Sequence, residues 1–176
     1  MLSNNMISKA FIRLDVILDE KVNLLIGGGA ALLILDIMPI STMDVDAIPF
    51  KSIIGPEDLK KYSQAVAKEL DLPADWLNEY FYQFTHCLPD DYGDRLKEVF
   101  SGEKLTCFCL SPTDIAIMKF FAHRGKDQSH LRYLIKNKHL DLDFIDNYLD
   151  EMVEKNHPGA EDALACFHDL LEALGI

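Results

Sequence analysis

The sequence predicts an α+β fold, a small mixed sheet flanked by helices with a helical carboxyl-terminal region. Three observations carry this prediction. Val22–Ile26, Met43–Ile48 and Leu105–Leu110 are apolar or alternating segments of strand length. Ser8–Asp19 and the stretch from Asp58 to about Leu70 place apolar residues at helical spacing. From Ile115 to Gly175 the pattern is helical, with breaks near Gly125, at Leu140–Asp143 and at His157-Pro158-Gly159. Strands therefore gather early and helices late, the segregation of an α+β protein.

In Ser8–Asp19, Phe11, Ile12, Leu14, Val16 and Ile17 form the apolar side of a short amphipathic helix, closed by Glu20 and Lys21. Val22–Ile26 is a run of aliphatics stopped by Gly27-Gly28-Gly29, which predicts a buried strand ending in a tight turn. Ala30–Asp36 resumes as a helix until Pro39 breaks it. Met43–Ile48 alternates with period two and puts Asp44 and Asp46 on one face. After a connection over Pro49–Gly55, Pro56 stands at a first helical position with Glu57 and Asp58 in the first turn. Leu72–Asn78 breaks and restarts the chain, and Asp90–Gly102 reads as a loop with a brief helical piece around Arg95–Phe100. Leu105–Leu110 is β-prone, and Ser111-Pro112-Thr113-Asp114 starts a helix with Ser111 or Thr113 as its cap.

Composition bounds the functional classes. With 176 residues, 49% hydrophobic and 26% charged, the chain can bury a core without a disulfide or metal staple, which excludes intrinsic disorder and collagen-like structure. A net charge of −12 disfavours a broad footprint on nucleic acid or an anionic membrane, and suits capture of divalent cations or a basic partner. The amino terminus lacks a cationic stretch followed by an uninterrupted apolar one, so it does not read as a signal peptide. The longest apolar run, Asn23–Met38, is interrupted by three glycines and Asp36 and falls short of a membrane span. A cytoplasmic protein without membrane partners is expected. Cys87, Cys107, Cys109 and Cys166 lack the paired spacing of a structural zinc site and read as reduced, packed thiols.

Two features sit where chemistry can use them. Gly27-Gly28-Gly29, between a strand and a helix start, lets a phosphate approach bare backbone, although a tight turn needs glycine for backbone reasons alone. It is neither a G-x-G-x-x-G fingerprint nor a Walker A loop. Asp44-Val45-Asp46 places two carboxylates on one side of a strand, with Cα atoms about 6.6 Å apart. Such hard oxygen ligands suit magnesium, singly or as the ion pair used in nucleotidyl transfer; an edge strand whose acids face water is the alternative.

Together, a strand ending in Gly27-Gly28, a short helix, and Asp44-Val45-Asp46 after Ser41-Thr42 resemble the nucleotidyltransferase superfamily that includes DNA polymerase beta. More narrowly, the chain resembles small bacterial nucleotidyltransferase-like proteins related to the toxins of type IV abortive-infection toxin-antitoxin systems. Those read Gly-Gly-x-Ala and then Arg-x-Thr-x-Asp-x-Asp, against Gly28-Gly29-Ala30-Ala31 and Ile40-Ser41-Thr42-Met43-Asp44-Val45-Asp46 here. Trp76-Leu77-Asn78, Leu105–Leu110, Ser111-Pro112-Thr113-Asp114, Lys119, and Arg124-Gly125-Lys126-Asp127 with Leu131 and Leu134-Ile135 extend the resemblance, which covers about Asn23 to Ile135.

The resemblance implies a minimal nucleotidyltransferase core over residues 1–110, with residues 111–176 a helical region packed on it. It implies nucleotidyl transfer from a nucleoside triphosphate to an RNA or protein hydroxyl, with a cognate antitoxin as partner. Gly28 and Gly29, with Thr42, Lys119 and Lys126, would bind the nucleotide, and Asp44 and Asp46 would be catalytic and hold Mg2+. Ile40 replaces the family's arginine, and Leu105–Leu110, the strand best placed to carry a third carboxylate, contains no acid; Asp90, Asp91 and Asp94 lie in a nearby loop. A fold that has lost turnover and kept nucleotide or partner binding is therefore the second reading. The stripe Leu164, Phe167, Leu170, Leu171 and Leu174 would serve a partner, or simply pack on the rest of the chain. A histidine metal hydrolase has no His-Glu-x-x-His to support it, a zinc site would have to assemble from Cys107, Cys109, Cys166 and His168, and no Gly-x-Ser-x-Gly elbow is present.

Overall fold

A computed structural model describes Met1–Ile176 as a mixed α+β protein. The chain divides into two compact units, Met1–Gln83 with Arg95–Leu110, and Phe84–Asp94 with Ser111–Ile176.

The first unit holds the whole sheet. Helix α1 (Asn4–Ile17) starts four residues earlier than its periodicity predicts, because the Ser3 side chain caps it by accepting from the Met6 amide. It buries Ile7, Ala10, Phe11 and Leu14 along one stripe. Strand β1 (Val22–Ile26) falls on the predicted residues and is flanked by strands on both sides, which is why it is aliphatic throughout. Helix α2 (Gly28–Ile34) begins inside the glycine run rather than at Ala30. Strand β2 (Val45–Pro49) begins two residues later than the alternation predicts, so Asp44 stands just before the strand and Asp46 within it. Helix α3 (Pro56–Leu70) has Pro56 at its start, Glu57 and Asp58 in its first turn, and Asp71 in the left-handed conformation at its end.

Strand β3 (Leu77–Asn78) follows Trp76, which is wholly buried and donates its indole N–H to the Ser63 carbonyl at 2.9 Å. The stretch from Arg95 to Phe100 is a correction to the expected helical piece: it contributes β4 (Lys97–Ser101), antiparallel to β5 (Leu105–Cys109). Pairing with β5 and a ring contact between Phe100 and Phe11 at 5.8 Å override the local helical pattern. A register shift between Glu98 and Phe100 bends this edge strand.

The order is β3-β2-β1-β5-β4, with β1 parallel to β5 and antiparallel to β2. Helices α1 and α3 pack on each other, α1 against β5 and α3 against β2 and β3. The β4–β5 turn is tied to α1. Asp15 accepts from the backbone amides of Glu103 at 3.1 Å, Lys104 at 2.8 Å and Leu105 at 2.7 Å. Partial burial pushes the Asp15 carboxyl up, but these donors outweigh it and hold it below the usual aspartate range. Its contribution is therefore complete above pH about 4 and lost as the pH falls through the depressed value. Asp15→Ala should cost about 1 kcal/mol at neutral pH, discounted for exposure, and nothing once the wild-type carboxyl is protonated. Urea unfolding followed by Trp76, the one tryptophan of the chain, reads this; an equal loss at both pH values would contradict it.

The second unit is helical: α4 (Pro112–Ala122), α5 (Asp127–Lys136), α6 (Leu142–Glu154) and α7 (Ala160–Leu174). Ser111 is the cap of α4, accepting from the Asp114 amide at 3.1 Å, and Asp141 caps α6 by accepting from Phe144 at 3.0 Å. Ile117, Phe120, Leu131, Ile145, Leu149 and Phe167 form its core. The Phe120 and Phe167 rings meet edge to face at 5.3 Å. The apolar stripe of α7 belongs here: Phe167 and Leu170 are buried, and Leu164, Leu171 and Leu174 pack against the same cluster. Phe84–Asp94 joins this unit, where the Tyr148 hydroxyl donates to the Cys87 carbonyl at 3.1 Å and the Arg124 guanidinium lies over the Phe84 ring. No helix is long and apolar enough to cross a membrane.

Candidate functional site

The glycine run and Asp46 meet at the end of β1. Antiparallel pairing of Ile26 with Ala47 carries one step further, so that the Gly27 amide donates to the Asp46 carbonyl at 3.0 Å. Gly28 then takes φ +61°, and a Cβ placed on it would lie 2.5 Å from Asp46 Oδ2. The Asp46 carboxylate thus rests in the space that the missing side chain leaves. Gly27 is less demanding, since its Cβ would meet the Phe81 ring at 3.0 Å, a contact a small shift of the ring relieves. At Gly28 the positive φ and one of the two acids both demand glycine.

Asp44 is fixed through different partners. Its backbone carbonyl accepts from Thr42 Oγ1 at 2.8 Å, and the amide of Val45 donates to the Trp76 carbonyl at 2.6 Å, so the peptide that follows the carboxylate is held at both its oxygen and its nitrogen. Its Oδ2 accepts from Asn78 Nδ2 at 2.8 Å. Asn78 pairs with Asp46 in the parallel β2–β3 register and stands on the strand beside the two acids. The hydroxyl of Thr42 donates within its own turn, which shapes the approach to β2.

The face of the sheet that carries Asp46 continues through Ile48, which stands in a row with Leu25 and Phe108. Phe108 and Thr106 are the β5 residues on this side, and the Phe108 ring packs against Phe50 at 6.3 Å. An aromatic therefore occupies the strand from which a third acid was sought. No group of three His, Cys, Asp or Glu side chains converges as a metal site anywhere in the chain. Two carboxylates suit an ion that completes its shell with waters and substrate phosphates, as magnesium does, and do not suit an ion that needs a protein cage.

Lys119 and Lys126 belong to the other unit. Lys119 is 4% exposed and its ammonium is ion-paired with Asp127, itself 2% exposed, which also accepts from Arg124 Nε at 2.6 Å. Lys126 is exposed at the start of α5. Cys87, Cys107 and Cys109 are buried free thiols; burial pushes Cys87 and Cys109 up to about 12 and Cys107 upward as well, so none is a nucleophile at neutral pH. Asn78 is the site residue that sequence reasoning left as part of a motif without a role. Its partner Asp44 is 34 positions away, a separation across which no periodicity speaks.

No curated protein and no solved structure matches the chain. A family model does: the one described as "Nucleotidyltransferase of unknown function" matches residues 7–163, a span that contains the glycine turn, both aspartates, Asn78 and the helices through α6. On this match over most of its length, the chain belongs to the DUF6036 family of nucleotidyltransferases of unknown function.

Proposed function

We propose that the protein is a magnesium-dependent nucleotidyltransferase that uses a nucleoside triphosphate and an RNA or protein hydroxyl. The observation that carries this reading is the Asp46 carboxylate seated over Gly28, with Asp44 two residues before it at the entry to β2. That arrangement joins a glycine turn with two hard ligands for the cation that would accompany phosphate oxygens. Asp44 and Asp46 would hold magnesium, which when bound neutralises charge on the phosphates and lowers the barrier to displacement at phosphorus. The Gly28-Gly29 backbone would orient the triphosphate. The acceptor oxygen would then bond to the α-phosphorus as the bond to the departing pyrophosphate breaks, and the hydroxyl proton would leave to solvent. Positioning and electrostatics supply most of the catalysis in such a reaction. The motif resemblance extends the proposal to a toxin restrained by an antitoxin.

A second reading, a nucleotidyltransferase fold that binds without turnover, is favoured by Phe108 on the strand where a third acid was sought and by the lack of any three-ligand cluster. Thermal unfolding with each of the four nucleoside triphosphates, with and without magnesium, tests both. A nucleotide at 100 times its dissociation constant stabilises by about 2.7 kcal/mol, roughly 5–11 °C in midpoint for a chain of this length. The shift should require magnesium and vanish in Asp44→Asn and in Asp46→Asn. Absence of any magnesium-dependent shift would sink the catalytic reading. A shift with no pyrophosphate release toward any RNA or protein acceptor would favour binding alone.

A further inference from the structure

We infer that Asn78 is the positioning residue of Asp44, and that by engaging one of its two carboxylate oxygens it sets the preference of the site for magnesium over calcium. The inference rests on the magnesium reading above. Both ends of the Asn78 amide are assigned by partners whose roles are fixed. Nδ2 donates to Asp44 Oδ2 at 2.8 Å, which as a carboxylate oxygen only accepts, and Oδ1 accepts from the Tyr80 amide at 2.9 Å, which only donates. A flipped amide would lose both bonds, so this orientation is the one the surroundings enforce.

The consequence falls on Asp44. The peptide that follows Asp44 is held by Thr42 Oγ1 at its carbonyl and by the Trp76 carbonyl at its amide, and the Asn78 bond restrains rotation of the carboxylate about its own side-chain bonds. The amide takes one lone pair of Oδ2 and fixes its direction, which makes Oδ1 the less encumbered oxygen to offer a cation. A carboxylate offered through one oxygen fits magnesium, which takes six ligands in a small octahedron and keeps several waters. It penalises calcium, which takes six to eight oxygens and gains from carboxylates that chelate with both. Asn78 touches neither phosphate nor reacting hydroxyl in this account and acts only through Asp44.

The test uses the full chain and divalent ions alone. Manganese bound to the protein is read by electron paramagnetic resonance and displaced by magnesium or by calcium. Wild type should bind manganese and release it to magnesium more readily than to calcium. In Asn78→Ala, Asp44 is free to chelate with both oxygens, and the magnesium-to-calcium preference should fall by about ten-fold, the size of effect expected from residues that orient a metal ligand. Asn78→Asp keeps the acceptor for the Tyr80 amide, removes the donor and adds oxygens. It should shift the preference toward calcium as well, with the fold monitored by Trp76 fluorescence. A purely structural Asn78 would weaken both ions in parallel, and an unchanged or parallel response in these variants overturns the inference. If wild type binds manganese, Asp44→Asn loses it and the Asn78 variants keep the wild-type preference, this inference fails and the magnesium reading stands. If wild type binds no manganese, the magnesium reading itself fails and takes the inference with it.

Discussion

Gly28→Ala should remove magnesium-dependent nucleotide binding and destabilise the first unit. The added methyl meets two independent obstacles. At φ +61° a residue with a Cβ costs about 1–2 kcal/mol from its own backbone, whatever space surrounds it. The Cβ would also stand 2.5 Å from Asp46 Oδ2, a distance at which the carboxylate must move. Asp46 is a proposed metal ligand, which the methyl displaces directly, and a ligand misplaced by about 1 Å costs on the order of 10²-fold in such a reaction. Gly27→Ala is the contrast. Its φ of −122° is ordinary, and the methyl meets a carbon of the Phe81 ring at 3.0 Å, where a ring can yield by a few tenths of an ångström. The expected order is a large functional loss with a modest loss of stability for Gly28→Ala, and a modest loss of stability with binding retained for Gly27→Ala. The thermal shift by magnesium and nucleotide reads both. Equal behaviour of the two variants would contradict the assignment of the Gly28 cradle to Asp46.

What was legible in the sequence follows from the range over which each signal acts. Val22–Ile26 was read to the residue because an aliphatic run closed by glycines is a local statement about a strand buried between neighbours. Ser111 and Pro56 marked helix starts because capping and the missing proline amide act within one turn. Strand β4 was missed because Lys97-Glu98-Val99-Phe100 is decided by its pairing with β5 and by the Asp15 carboxylate on the turn, 88 to 90 residues away from the amides it binds. The acid pair and the glycine run were each visible, and their order along the chain brought them together. That Asp46 fills the space over Gly28 is a contact between strands, and that Asn78 engages Asp44 is a contact across a strand pair; neither leaves a periodic trace. Lys119 shows the same limit from the other side. In sequence it is one lysine on a helical pattern, whereas in the fold it is buried and its charge is answered by Asp127, eight residues on.

That buried pair carries the second large effect. Asp127→Ala should destabilise the helical unit by about 3–5 kcal/mol, because it leaves the Lys119 ammonium buried without its counter-charge. Lys119→Met should cost less: methionine fills similar volume without a charge, and Asp127 keeps its bond from Arg124 Nε at 2.6 Å, a side chain 29% exposed to solvent. The asymmetry distinguishes a buried pair from a surface one, in which either truncation would cost less than about 1 kcal/mol. Acid should mimic the aspartate variant. Burial pushes the Asp127 carboxyl up, but Lys119 and Arg124 outweigh burial and hold it below the usual aspartate range. A carboxyl depressed in the folded state contributes fully above its unfolded value and loses that contribution as the pH falls through the folded one. Wild type should therefore lose stability steeply below pH about 4, while Asp127→Ala, having no such carboxyl, should show a shallower acid limb. Urea unfolding followed by far-ultraviolet circular dichroism across this pH range checks both statements. Identical acid limbs in the two proteins, or losses below about 1 kcal/mol in both variants, would mean that the Lys119–Asp127 pair does not hold the second unit together.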